Sequence, residues 1–139
     1  MTTYAAAYVA AGLVLGGMDA VWLTLTSATL YRPVLGALLA PTFRPFPAIL
    51  FYGIYLLGVV IFAVAPAIRA GSWRQAPVLG ALFGLFCYAT YDLTNQATLV
   101  VWSSWITVVD ISWGAILTAC AALAGYISGQ AVSARLRVG

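Results

Sequence analysis

Histidine, lysine and glutamate are absent from this 139-residue sequence. Without histidine there is no His-ligated haem, no His-built zinc site and no catalytic triad that relies on an imidazole. Charge of either sign is scarce, at 6% of residues: six arginines and three aspartates. An ordinary soluble domain carries about 25%. The two cysteines, Cys87 and Cys120, stand in separate apolar stretches and form no CxxC, which excludes a redox pair or a metal clip. Both read as small buried hydrophobes. The arginines sit in pairs between apolar runs and form no basic face, so no nucleic-acid partner is expected.

What fills the chain is apolar side chain, 64% of residues. A hydrocarbon layer about 30 Å thick takes about 20 apolar residues of helix to cross. Four stretches meet that need: 4–30, 46–68, 76–100 and 104–128. The expected fold class is therefore all-α, an integral membrane four-helix bundle forming one transmembrane domain over 1–139. The N-terminus lacks the positive region of a secretory signal, so the first stretch is expected to stay as a helix.

Arg32-Pro33 and the proline-rich 41–47 segment are expected to end helix 1 and start helix 2, because proline suits a first turn and opposes continuation. Residues 34–40 are apolar but too short to span, and read as an interfacial or re-entrant turn. Gly71 to Arg74 makes the second loop. Only Val101-Trp102-Ser103 separates helices 3 and 4, which predicts a tight hairpin. Loops 1 and 3 carry Arg32 and Arg44, whereas loop 2 and the tail carry Arg69, Arg74, Arg135 and Arg137. That bias predicts both termini in the cytoplasm.

Asp19, Asp92 and Asp110, the only side-chain acids, all fall inside the apolar stretches. Charge at mid-membrane is costly, so intramembrane acids face a bundle interior and are functional candidates by default. At a rise of 1.5 Å per residue the three lie roughly 9–17 Å below the loop 1 and loop 3 surface, in one layer. Helical spacing brings Trp22, Tyr88, Tyr91, Asn95, Thr107 and Trp113 to that layer, with Tyr52 and Tyr55 from helix 2. The polar run Tyr91 to Gln96 is expected to point inward, since lipid would leave its donors unpaired. Protons, Arg32 and Arg44, or a bound cation would balance the acids. Gly80-x-x-x-Gly84 reads as a close-packing seam.

The stretch Tyr88-Ala89-Thr90-Tyr91-Asp92-Leu93-Thr94-Asn95-Gln96-Ala97-Thr98, then Trp102 and Val109-Asp110-Ile111-Ser112-Trp113-Gly114, resembles the bacterial membrane-protein family catalogued as domain of unknown function 2177. Asp19-Ala20-Val21-Trp22-Leu23 and Phe51-Tyr52-Gly53-Ile54-Tyr55 share the likeness. The resemblance implies a bacterial inner-membrane protein with four helices and supports the polar layer as the family's shared site. It supplies no substrate and no activity.

Three functions remain open at this point. One is a pocket in the outer half of the bilayer, with Asp92, Asp110 and Asp19 as candidate catalytic acids. It would bind or act on a lipid or a small apolar or cationic molecule through Trp22, Tyr52, Tyr55, Tyr88, Tyr91, Asn95, Thr107, Trp113, Arg32 and Arg44. Another is a proton-coupled carrier resembling the small multidrug exporters, and a homodimer would fit that reading. The third is a structural accessory subunit. No cofactor or metal is expected; a hard cation on the three aspartates is the minority option. Membrane lipid is the expected partner.

Overall fold

The structure is a computed structural model that describes residues 1–138, with only the backbone described at 37, 137 and 138. Arg137, one of the arginines that bear on orientation, therefore lies outside the described side chains. Among the described residues four helices are long and apolar enough to cross a membrane: α1 (Thr2–Leu35), α2 (Pro45–Ala70), α3 (Gln75–Thr98) and α4 (Ser104–Val138). No strand occurs among the described residues.

Two helix ends differ from expectation. Arg32-Pro33 does not end α1, and 34–40 is not a separate re-entrant turn: the helix runs through Pro33 to Leu35 and tightens into a 3₁₀ turn at Gly36–Leu38. The reason is a π turn at Ser27–Tyr31, where the Arg32 N–H reaches back five residues to the Ser27 carbonyl. Proline opposes a helix because its ring meets the carbonyl four residues earlier, and the wider turn relieves that contact. The same device recurs in α2, where a π turn at Val60–Val64 directly precedes the turn containing Pro66. The second difference is α4, which continues past residue 128 to Val138.

The remaining turns follow their sequence signals. Gly71, in the left-handed region at φ 62°, closes α2. The Ser72 N–H bonds the Ala67 carbonyl at 3.1 Å and the Gly71 N–H bonds the Ile68 carbonyl at 3.2 Å. Glycine takes that conformation without a Cβ penalty. Five residues, 99–103, join α3 to α4 as an antiparallel hairpin.

α4 is the central helix, packed along both α1 and α3. The α3 seam is made by Gly80 and Gly84 set against the backbone of α4. A Cβ at Gly84 would lie 2.2 Å from the Gly114 carbonyl oxygen, and one at Gly80 would lie 2.7 Å from the Thr118 carbonyl oxygen. On the other side, Gly125 and Gly129 of α4 receive Ala7 and Ala11 of α1. Small residues let backbones approach where lipid offers no hydrophobic drive for association. The core, to which α2 also contributes, gathers Leu15, Tyr55, Leu56, Val59, Val64 and Leu117 among small alanines. Large apolar side chains instead cover the outside, among them Phe46, Ile54, Phe62, Phe86 and Ile116. That arrangement suits a lipid surround.

Gly84→Ala should destabilise the bundle by about 1–3 kcal/mol, because the added methyl meets backbone that cannot move aside. Gly17→Ala, with nothing within 4 Å of the added Cβ, should leave stability unchanged or slightly raised. Thermal unfolding of the two variants in one detergent checks the contrast.

Candidate functional site

The outward faces of the helices carry hydroxyls that satisfy themselves. Thr90, Thr94 and Thr98 donate in turn to the carbonyls of Phe86, Thr90 and Thr94 at 2.6–2.8 Å. Thr24 and Ser112 do the same on α1 and α4. Bonding back to the preceding turn lets a threonine face hydrocarbon without an orphaned donor. The expectation that the whole Tyr91–Gln96 run points inward therefore fails. Asp92 is buried and Asn95 half-buried, while Tyr91, Leu93, Thr94 and Gln96 are exposed.

Two of the three acids share one chain of contacts. The Tyr31 hydroxyl donates to Asp110 Oδ1 and accepts from the Trp22 indole N–H at 3.0 Å. The Trp22 ring stacks on Trp113, with centroids 4.4 Å apart and planes at 11°. Trp113 points its indole N–H at Asp19 Oδ1, 3.4 Å away, and the Tyr52 hydroxyl donates to Asp19 Oδ2. Hydroxyl and indole donors thus do for these carboxylates what lysine or arginine does elsewhere. Stacking of this kind is worth about 0.5–1.5 kcal/mol beyond area burial.

Tyr31 is the residue that sequence reasoning missed. It stands next to Arg32-Pro33, where a helix end was expected. The π turn keeps it helical, and its side chain, directed toward the N-terminus as helical side chains are, reaches Trp22 and Asp110. No periodicity in the sequence signals that turn.

Asp92 is held differently. It is 0% exposed, and both of its carboxylate oxygens are buried with no hydrogen-bond partner. It lies six residues before the end of α3 at Thr98, and Asp110 lies six residues after the start of α4 at Ser104. The hairpin therefore sets them at one level, about 9 Å along each helix from its end. Asp19 stands with Trp113, about one turn deeper. Among the described residues no group of three His, Cys, Asp or Glu is close enough to hold a metal ion.

The other expected site residues divide. Thr107 is buried but belongs to a clasp across the hairpin: it accepts from the Trp102 indole at 2.9 Å and donates to Gln96 Oε1 at 2.7 Å, while Gln96 Nε2 donates to Ser104 at 2.8 Å. Tyr55 is buried, with its hydroxyl 2.6 Å from that of Thr118, and Thr118 donates in turn to the Gly114 carbonyl. Tyr88 packs its ring over Gly114, where any Cβ would clash at 2.2 Å. Arg32 and Arg44 are exposed, and the partners of Asp19 and Asp110 are tyrosine and tryptophan, so these arginines do not serve the acids.

Beside this layer a cavity of about 590 Å³ opens between α2 and α3, walled by Phe51, Tyr55, Cys87, Tyr88, Thr90 and Tyr91. Phe51 and Tyr91 are exposed at its mouth, whereas Tyr55 is buried within. The groove joins the acid layer at two places. Phe51 packs on Tyr52, centroids 5.2 Å apart, and Tyr52 holds Asp19. Tyr88 lies over Gly114, the neighbour of Trp113.

These features define a multi-pass membrane protein of four helices that carries acids in its interior and an aromatic groove on its flank. The chain belongs to the family described as predicted membrane protein (DUF2177), whose model matches residues 4–127. Comparison with curated proteins and with solved structures finds no match.

Tyr31→Phe should cost about 1–3 kcal/mol, since it removes the donor to a buried carboxylate and an acceptor for Trp22. Tyr52→Phe should act likewise through Asp19. The combined variant should cost less than the sum of the two if the stacked tryptophans couple both ends. A double-mutant cycle by reversible unfolding measures the difference.

Proposed function

We propose that this protein binds an amphiphile drawn from the lipid phase, with an apolar chain in the α2–α3 groove and a cationic or polar end toward the acid layer. The observation that carries the reading is the groove itself. Its volume lies within the range of ligand sites, and aromatic side chains form most of its wall. A cationic end is favoured by two things. Aromatic faces attract cations, and the interior next to the groove holds aspartates with no lysine, arginine or histidine among them. Tyr52 and Tyr88 are the side chains through which an occupant of the groove would act on Asp19 and on the Trp113 region.

The groove opens sideways between two helices, through exposed Phe51 and Tyr91, so the route of entry in this reading is from the bilayer and not from water. The arginine distribution supports placing both termini in the cytoplasm. The acid layer then belongs to the outer half of the membrane.

In phosphatidylcholine nanodiscs, dodecyltrimethylammonium should raise the unfolding temperature in a saturable way, as any ligand of the folded state does. Dodecanol, with the same chain and no charge, should do so more weakly. Tyr88→Ala should abolish both effects, and Asp19→Asn should remove the advantage of the cationic probe. Equal behaviour of wild type and Tyr88→Ala toward both probes would overturn the groove reading. Reporter fusions at each terminus should both report the cytoplasmic side.

A further inference from the structure

Asp92 has no role in the groove or in the tyrosine–tryptophan chain, yet it is the most completely enclosed acid of the three. Asp19 and Asp110 each receive hydroxyl donors, and Asp19 an indole as well. Neither oxygen of Asp92 receives any. An ionised carboxylate in such a place lacks both hydration and a counter-charge, and interiors do not keep one in that form.

The charged and titratable groups around Asp92 offer it no counter-charge and no donor. From α4, Asp110 is the acid within electrostatic reach, and it is of like charge. From α1, the Tyr31 hydroxyl is committed to Asp110. On α3 itself, Tyr91 is directed outward and Tyr88 lies over Gly114. From α2, Tyr52 and Tyr55 serve Asp19 and Thr118. Arg32, Arg44, Arg69, Arg74 and Arg135 are all exposed. A metal ion would need ligands that the neighbourhood does not gather.

We infer that Asp92 is a proton-binding site, carrying one exchangeable proton while its neighbour Asp110 stays ionised on the Tyr31 hydroxyl. The proton is the one cation that needs a single oxygen and no further coordination. Its binding is balanced simply: carboxylate plus a proton from water gives the neutral acid, and the reverse step returns the proton to water. Like charge on Asp110 makes the two sites compete, so that a change at Tyr31 is felt at Asp92. This inference does not rest on occupancy of the groove, and it stands or falls by a different measurement.

Because the chain has only three side-chain carboxyls, infrared spectroscopy can isolate each. The double variant Asp19→Asn/Asp110→Asn keeps Asp92 as the sole one. At neutral pH the wild type should show a carboxylic-acid C=O band from a non-hydrogen-bonded site. Asp92→Asn should lack that band and the double variant should keep it. If Asp92→Asn fails to fold, the wild type and the double variant still decide the matter. A band absent from the double variant, or a wild-type band that survives in Asp92→Asn, overturns the inference.

Stability supplies a second readout. The folded state would bind one more proton than the unfolded chain at neutral pH, so stability must fall as pH rises, by up to tenfold in the folding equilibrium per pH unit. The wild-type unfolding temperature should therefore decline as pH rises from the ordinary aspartate range, about 4, toward the pH at which Asp92 gives up its proton, and level off beyond it. Asp92→Asn should flatten the decline, and an identical decline in that variant would contradict the assignment.

Discussion

A carboxylate carried into hydrocarbon has to find its partners within the protein, and here the choice of partners is unusually narrow. No lysine or histidine exists in the chain, and the arginines whose side chains are described all lie exposed. Asp19 and Asp110 are consequently met by phenol and indole, and the positions of Tyr31, Tyr52, Trp22 and Trp113 follow from that need. The helices must approach closely enough for those reaches to be made. The glycine seam of α3 on α4, and the alanine–glycine contacts of α1 on α4, provide that approach. The packing of the bundle and the chemistry of its interior are thus one problem: the hairpin sets Asp92 and Asp110 at one level, and the close backbones bring their helices together there.

Much of this architecture is legible in the amino-acid sequence. Four spans, the short hairpin, the packing role of Gly80 and Gly84, and the inward placement of Asp19, Asp92 and Asp110 follow from apolar length, spacing and the cost of intramembrane charge. Two local effects are not legible there. Proline reads as a helix end in sequence, but a π turn upstream absorbs its steric demand, and Tyr31 is recovered for the interior as a result. Threonine reads as a polar residue that needs company, but bonding to its own preceding turn frees it to face lipid, so Thr94 points outward beside a buried Asp92. Both effects are settled by backbone geometry, which residue type alone does not disclose.

The interior has two kinds of polarity. One is a circuit of contacts, open at both ends, in which two acids are supplied with donors and joined through a stacked ring pair. The other is a lone acid, supplied with none. A circuit of the first kind rigidifies a core. The second kind is held only by what it binds. The aromatic groove borders the circuit through Tyr52 and Tyr88.

The π turn at Ser27–Tyr31 has one more consequence. Such a turn amounts to a single residue inserted into an α-helix, and one residue is about 100° of rotation. The C-terminal end of α1 is therefore indexed differently from the rest of the helix. Shortening the 27–31 segment by one residue would restore regular winding, swing Tyr31 away from Asp110 toward the lipid, and set Pro33 against an unrelieved carbonyl. The length of that segment, more than its composition, is what keeps the two ends of the circuit in phase.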